Sequence, residues 1–435
     1  MSIWPDPARL AGAGDEGRLE EAEAAGAAVD GSRAGDDAGD AGDAGAQADL
    51  PAHAPSPAPG TAQGRRPRTL PKQADPDAPL LVVEGLTTHF RLGGEIVHAV
   101  DDVSFTLADG EALGIAGESG CGKTTTALSL LRLLPSNAEV VAGSVKLFGI
   151  DLRTKSDNAI RRYRWREISI IFQGAMNALN PVQRIGDQIA EPMIERQGVS
   201  KAAAATRSGE LLELVGIPKA RGKAYPHELS GGMRQRAMIA MALACDPAVI
   251  IGDEPTTALD VMVQAQILEL LEDLREKLGL SLILITHDLS VLAETCDRVM
   301  IMYAGRVAEE GPVGTIYGTP RHPYTQMLLA AFPDVTSGRR DLGTIPGSPP
   351  DLRTPPPGCR FHPRCPAAMD VCRSEVPPEV TFGDRVRVAC HLYPPGSDGV
   401  PRALPPVART PDAPDPLVAA TTGTHGTAAV TGEPA

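Results

Sequence analysis

Long hydrophobic runs are missing from this sequence. Nowhere do 18 or more apolar residues follow one another, so no segment reads as a membrane-spanning helix. Leader features are sparse as well: Met1-Ser2-Ile3-Trp4-Pro5-Asp6 has neither the basic start nor the apolar centre of a signal peptide, so none is expected here. The expectation is a cytosolic protein whose thiols stay reduced. An excess of basic side chains is also lacking. The formal charge is −14, and half of that excess lies in residues 1–78, which hold 14 acidic and 7 basic residues. The remainder is mildly acidic, which argues against a nucleic-acid binder. Aromatic residues are scarce, at 3% of the chain, so few are free to stack on a base.

Residues 1–78 are dominated by Ala, Gly, Asp and Pro, and residues 395–435 by Pro, Ala and Thr without a hydrophobic period. Such composition has too little apolar surface to offset the entropy of ordering, so both ends read as disordered tails. Between them lie roughly 315 residues, enough for one large domain and a small appendage.

What is there is a phosphate loop. Gly117-Glu118-Ser119-Gly120-Cys121-Gly122-Lys123-Thr124 fits G-x-x-x-x-G-K-[ST] at every position. The apolar run 111–116 leads in and a helix-like run, Thr125–Leu131, leads out. The glycines let the backbone curl so that N–H groups face inward, and the helix that follows aims its positive end at the same anion. Lys123 would reach the β- and γ-phosphates, and the Thr124 hydroxyl would sit on Mg²⁺. The plainer possibility is a Gly-rich strand-to-helix turn; strand and helix on either side favour nucleotide binding.

Upstream, residues 80–90 and 96–107 read as strands, with Gly93-Gly94 as a hairpin turn. Phe90 either stacks on a base or packs at a strand end, and Val97 could serve the same face. Downstream, 144–149 and 168–173 read as strands, and Gln173 leaves the second. Residues 174–230 turn helical in texture. Ser230-Gly231-Gly232 then opens a long helix, which is a second N-terminus with bare N–H groups and a second phosphate-binding design, or simply an N-cap. Residues 248–252 form a buried-type strand ending in Asp253 and Glu254. Asp253 is placed to hold Mg²⁺ and Glu254 to polarise a water for attack. Asp260 precedes another helix, and a further buried strand ends at His287, at the strand ends where ligands bind in open α/β sheets.

Taken together, Gly117–Thr124, Gln173, Leu229–Gln235, Val249–Glu254, Ala258-Leu259-Asp260 and His287 resemble the full motif set of an ABC-transporter ATPase. One departure is Gly252, where the family usually has Ala; a Gly there is expected to loosen the strand slightly. The resemblance implies an α/β P-loop NTPase with a RecA-like core, an antiparallel β subdomain and a helical subdomain near 174–230, all within 79–332. It implies ATP and Mg²⁺ as cofactors. Gly117–Thr124 with Thr125, Phe90, Gln173, Asp253 and Asp260 would bind nucleotide; Thr124, Gln173 and Asp253 would hold Mg²⁺; and Glu254, His287 and Gln173 would serve catalysis. Ser230, Gly231 and Gly232 would address the ATP of a partner ATPase domain, identical or related. Two membrane permease subunits and an extracytoplasmic solute-binding protein are further implied partners, which places the chain peripherally on the cytoplasmic face of the membrane.

Arg321–Leu329, Pro355–Pro366 and Asn177–Pro181 resemble oligopeptide/dipeptide importer ATPases, with residues 333–394 as their C-terminal extension. Some members serve nickel or small glycopeptide systems, so the solute is less specified than the machine. Cys359, Cys365, Cys372 and Cys390 stand at C-x₅-C-x₆-C-x₁₇-C. Such density in a reducing compartment points to metal: Zn²⁺, an iron–sulfur cluster, or else unmetallated thiols of a small domain. The extension of the resembling family is associated with a [4Fe–4S] cluster, which favours iron. The competing functions are a soluble ABC ATPase of DNA repair, chromosomes or translation, and a module that holds ATP without turnover. The first usually carries long coiled-coil inserts or tandem cassettes, absent here; intact Glu254 and His287 argue against the second.

Overall fold

The computed structural model describes residues 75, 78–174, 178–257, 259–331, 345–383 and 385–396. The expected tails therefore lie outside the described residues almost entirely, as do Asn177, Ala258 and the start of the extension.

The chain opens with an antiparallel hairpin, β1 (Leu81–Leu92) and β2 (Glu95–Leu107), as the alternation of buried and open positions in β1 requires. Gly93 and Gly94 both take positive φ, the backbone a tight two-residue turn needs. β3 (Ala112–Ala116) follows, then helix α1 (Lys123–Leu131). β4 (Ala138–Leu147) and β5 (Ile150–Asp151) complete a four-stranded sheet in the order β2-β1-β4-β5. Next come α2 (Asp157–Ile160) and β6 (Ile168–Ile171). The helical segment holds α3 (Ile185–Pro192), α4 (Lys201–Leu214) and α5 (Gly231–Ala242).

The rest alternates strand and helix. β7 (Val249–Asp253), α6 (Val261–Leu278), β8 (Ser281–Ile285), α7 (Leu289–Thr295) and β9 (Arg298–Tyr303) are followed by β10 (Arg306–Pro312), α8 (Val313–Gly318) and α9 (Pro323–Ala330). In the extension, α10 (Val371–Ser374), β11 (Glu379–Thr381) and β12 (Arg387–Ala389) are short.

An eight-stranded sheet runs β11-β12-β10-β9-β3-β8-β7-β6. Five consecutive strands, β9-β3-β8-β7-β6, are parallel, with helices as crossovers. β3, β7 and β8 are buried at every position, as strands covered on both faces must be. Each such Leu, Ile or Val contributes roughly 1.5–3 kcal/mol on burial, which is ample to override weak local propensity. Gly252 keeps β7 in register, pairing with Ile171 and Leu284 on its two sides. An added Cβ would lie 3.2 Å from Pro255 and 3.3 Å from Leu284, so the small residue is fitted to a tight site.

The extension is joined to this sheet. β12 pairs with β10, and Arg387 of β12 bonds buried Glu310 of β10, which also meets Arg298 at 3.0 Å. Phe361, Val380, Phe382, Val386, Val388 and Leu392 belong to the same core cluster as the helical segment and the outer face of the sheet. This Pro-rich stretch borrows the core of its neighbour.

Candidate nucleotide site

The loop between β3 and α1 is built on backbone that side chains cannot occupy. Gly117 has φ +150°, and a Cβ there would fall 2.1 Å from the Met302 carbonyl oxygen and 2.8 Å from Cys121 Sγ. Gly122 has φ +104°, with the Ala99 carbonyl oxygen 2.3 Å from where its Cβ would stand. These glycines let the loop lie directly against β9 and β2. Lys123 starts α1, buried, and its Nζ donates to the carbonyls of Gly117 at 2.8 Å and Glu118 at 3.1 Å. The ammonium thus sits inside the loop, ahead of the helix's positive end. Ser119, Gly120 and Thr125 complete the loop and the helix's first turn.

Both acids follow from the end of β7. Asp253 is buried and its Oδ1 accepts from the Thr124 hydroxyl at 3.1 Å, so the two oxygens expected to share a cation already meet. Burial pushes the Asp253 carboxyl up to about 6, with the Glu254 charge adding to it and the Thr124 hydrogen bond and Lys123 opposing it. Glu254 takes φ +46°, left-handed backbone held by its N–H donating to the Ile285 carbonyl at 2.8 Å. A non-Gly residue there carries of order 1–3 kcal/mol of strain, which the surrounding sheet absorbs. The turn brings its carboxylate among three partners: Gln173 Nε2 at 2.7 Å, Thr257 Oγ1 at 2.9 Å and His287 Nδ1 at 3.4 Å. His287 is 71% exposed on its side chain, so its ring reaches outward from the sheet edge.

These placements differ in detail from the sequence expectation. Gln173 bonds Glu254 rather than the Thr124–Asp253 pair. Phe90 is half-buried and faces Val97 in the β1–β2 register, next to the hairpin turn. Ser230 is exposed and caps α5, accepting from the Met233 N–H at 3.3 Å; Asp260 caps α6, accepting from Val263 at 2.9 Å. Gly231 is half-buried, and Gly232 lies against α6, its absent Cβ only 2.8 Å from Val263 Cγ1. Among the described residues no hydrogen bond or ion pair joins Ser230, Gly231 or Gly232 to the phosphate loop or the two acids.

All four extension cysteines are free thiols. They are neighbours: burial pushes Cys390 up to about 12 and Cys365 up to about 11, and Cys359 and Cys372 add to both. Yet among the described residues no three His, Cys, Asp or Glu side chains converge tightly enough to hold one ion.

Sequence reasoning missed two partners of the loop and a third residue that supports one of them. Tyr324 accepts from the Glu118 N–H at 2.9 Å, and Arg364 grips the Glu118 carboxylate at 2.6 and 2.9 Å, from 206 and 246 residues away. Tyr303 meets Arg364 at 3.2 Å. Their local patterns carry no sign of that proximity; only the resemblance around Tyr324 and Arg364 marked those stretches at all.

Residues 100–257 match the model of the ABC transporter family, and residues 308–372 match that of the oligopeptide/dipeptide transporter C-terminal region. The chain is 50% identical over 310 residues to the probable peptide ABC transporter ATP-binding protein y4tR of Sinorhizobium fredii, covering 70% of this chain and 92% of that one. It is 51% identical over 297 residues to a peptide import ATP-binding protein of Brucella abortus, covering 68% and 90%. The ATP-binding cassette MJ0796, solved as a dimer with ADP and Pi, has a TM-score of 0.49 and 29% identity over 54% of this chain and 98% of that one. No helix among the described residues is long and apolar enough to cross a membrane. Half-identity sustained over nine-tenths of a relative, with both regional matches in register, shows that the chain belongs to the ATP-binding proteins of ABC transporters, in the oligopeptide/dipeptide import family.

Proposed function

We propose that this chain is the ATP-hydrolysing subunit of a peptide importer and that it drives uptake through separate membrane-spanning subunits. The observation that carries the reading is the meeting, at one end of the parallel sheet, of a loop built for phosphate with the Thr124–Asp253 pair and the Gln173–Glu254–His287 group. Lys123 and the loop N–H groups bind the triphosphate. Thr124 and Asp253 would hold Mg²⁺, which neutralises charge on the β- and γ-phosphates when bound. Glu254 takes the proton from the attacking water, and Gln173 and Thr257 orient its carboxylate. His287 reaches outward to the γ-phosphate.

The exposed Ser230 cap and the N-terminus of α5 support a role toward a partner's ATP, with Asp260 beside that interface, so that two cassettes close on two nucleotides. The second cassette is this chain or a related one. Permease subunits and an external solute-binding protein complete the assembly, which seats the chain on the cytoplasmic face of the membrane. For the four cysteines, what supports a [4Fe–4S] group is four free, neighbouring thiols in one small unit. Neither family match speaks to iron. Thiol ligands bind metal as thiolates, so ligation must release their protons. Cys359, Cys365, Cys372 and Cys390 would be the ligands and the role structural. Iron and sulfide analysis of anaerobically purified protein beside a Cys359→Ser variant checks this, and a metal-free wild type sinks it.

For the main reading, the test is which chains co-purify with this one from detergent-solubilised membranes. Two permeases and peptide-stimulated ATP hydrolysis in the reconstituted complex support it. A complex without membrane-spanning partners refutes it.

A further inference from the structure

The second residue of the phosphate loop is held at both ends by the last third of the chain. Glu118 donates its backbone N–H to Tyr324 Oη at 2.9 Å, and Tyr324 is fully buried. Its carboxylate meets Arg364 in a two-pronged pair, Nη1 to Oε2 at 2.6 Å and Nη2 to Oε1 at 2.9 Å. The Arg364 side chain is only 6% exposed and that of Glu118 is 21%. Parallel N–H···O bonds of this kind fix direction as well as distance.

Arg364 is itself immobilised. Its Nε donates to the Pro346 carbonyl at 2.8 Å, Nη1 to Tyr303 Oη at 3.2 Å and Nη2 to the Gly347 carbonyl at 3.3 Å. Tyr303 in turn packs on Tyr324 and Phe361, ring centres 4.6 and 5.1 Å apart. A second strut lies beside the first. Arg360 donates to the Ala304 carbonyl and to Asp101 at 2.5 Å, and the next residue, Gly305, donates its N–H to the Cys121 carbonyl at 2.9 Å. So Glu118 is gripped directly from the segment Cys359–Cys365, and Cys121 is reached through Gly305, whose neighbour Ala304 that segment holds. The brace continues inward, since Lys123 Nζ bonds the Glu118 carbonyl at 3.1 Å.

We propose that Arg364 is a positioning residue for nucleotide binding: by gripping Glu118 it sets the curl of the phosphate-cradling loop, so the extension is a working part of the ATP site. This rests on Gly117–Thr124 being the triphosphate cradle. A bond that merely docked the extension could have been made anywhere on the shared sheet, where Arg387 and Glu310 already make one. Arg364 instead spends its fork on the loop.

The test uses the full-length chain, a fluorescent ATP analogue for equilibrium binding, and ATP hydrolysis against ATP concentration. Arg364→Ala raises both Kd and KM for ATP by about tenfold, because a small displacement of a positioning group is costly, while unfolding stays cooperative. Arg364→Lys, which keeps charge but not the fork, raises them less. Glu118→Gln acts like Arg364→Ala, and the double variant is no worse than the more affected single one, as one shared interaction requires. Arg353→Ala, an exposed arginine of the same extension paired with Asp351 and Glu95, leaves both constants at wild-type values.

Wild-type ATP affinity in Arg364→Ala overturns the proposal. So does strict additivity with Glu118→Gln, or a fall in kcat alone with KM unchanged, which marks lost active fraction. If Arg364→Ala fails to fold, Arg364→Lys and Glu118→Gln decide on the same readouts. Failure of the wild type to bind ATP would instead refute the cradle, and the two failures cannot be confused.

Discussion

Gln173 Nε2 donates to Glu254 Oε2 at 2.7 Å, and the same oxygen accepts from Thr257 at 2.9 Å. The pair links the end of β6 to the end of β7, so the residue that leaves one strand governs where the acid of its neighbour points. A carboxylate held this way has few orientations to search when a water arrives, which is what base catalysis needs. Glu254→Gln keeps the shape and removes the base. It is expected to lower ATP turnover at least about 10²-fold while ATP still binds. Turnover at the wild-type rate would show that another group takes the proton.

The loop's tolerance of a single methyl group is a second measurable quantity. Gly117→Ala places a Cβ 2.1 Å from the Met302 carbonyl oxygen, a contact with backbone that no rotamer relieves. The expected outcome is a loss of at least about 2–3 kcal/mol in chemical denaturation, together with lost ATP binding. A variant of wild-type stability would mean the loop can move off β9.

A related contact sits between α5 and α6. Gly232→Ala sets a Cβ 2.8 Å from the Val263 Cγ1 methyl. Here the obstacle is a side-chain end, so a milder cost of about 1–2 kcal/mol is expected. Val263→Ala in the same chain should recover most of it. Additive losses in the double variant would place the cause elsewhere.

His322 supplies a pH dependence. It is fully buried, caps α9 by accepting the Tyr324 N–H on Nδ1 at 3.0 Å, and burial lowers its pKa to about 4. The folded state therefore binds this proton less readily than the unfolded chain, whose His titrates near 6.5. Its contribution is intact above about 6.5 and is lost as pH falls toward about 4, by of order 3 kcal/mol in all. Glu309, whose carboxyl burial raises, is bonded by the His322 backbone N–H and works in the opposite sense over the acid range. Comparing wild type with His322→Asn isolates the histidine. The gap between their stabilities should shrink from pH 7 to pH 4.5, and a constant gap refutes the assignment.

Much of the cassette was legible before any coordinate. Period and composition placed β1, β2, β7 and β8 within a residue or two, because strands buried on both faces must be apolar throughout and hairpins announce their turns with glycine. Lys123, Thr124, Asp253, Glu254 and His287 were singled out because they fit a motif pattern at or just beyond the ends of strands and the start of a helix. What stayed hidden depends on distance in sequence. Nothing near Glu118 announces Arg364, and nothing in residues 345–396 shows that β12 will pair with β10. The fit at Gly252 was hidden for a similar reason: it depends on Pro255 and Leu284 pressing from either side, which a one-dimensional pattern does not contain.

The addition of β12 and β11 to the main sheet also changes what its outermost strand offers to other molecules. β12 pairs with β10 at Glu309 and Glu310, covering backbone groups that would otherwise face outward there as a template for stray strand addition. The sheet then ends on β11, three residues long, whose Glu379 and Thr381 are both exposed. So short and charged a margin resists side-by-side polymerisation. The extension acts as a selvage, the finished border of a woven sheet.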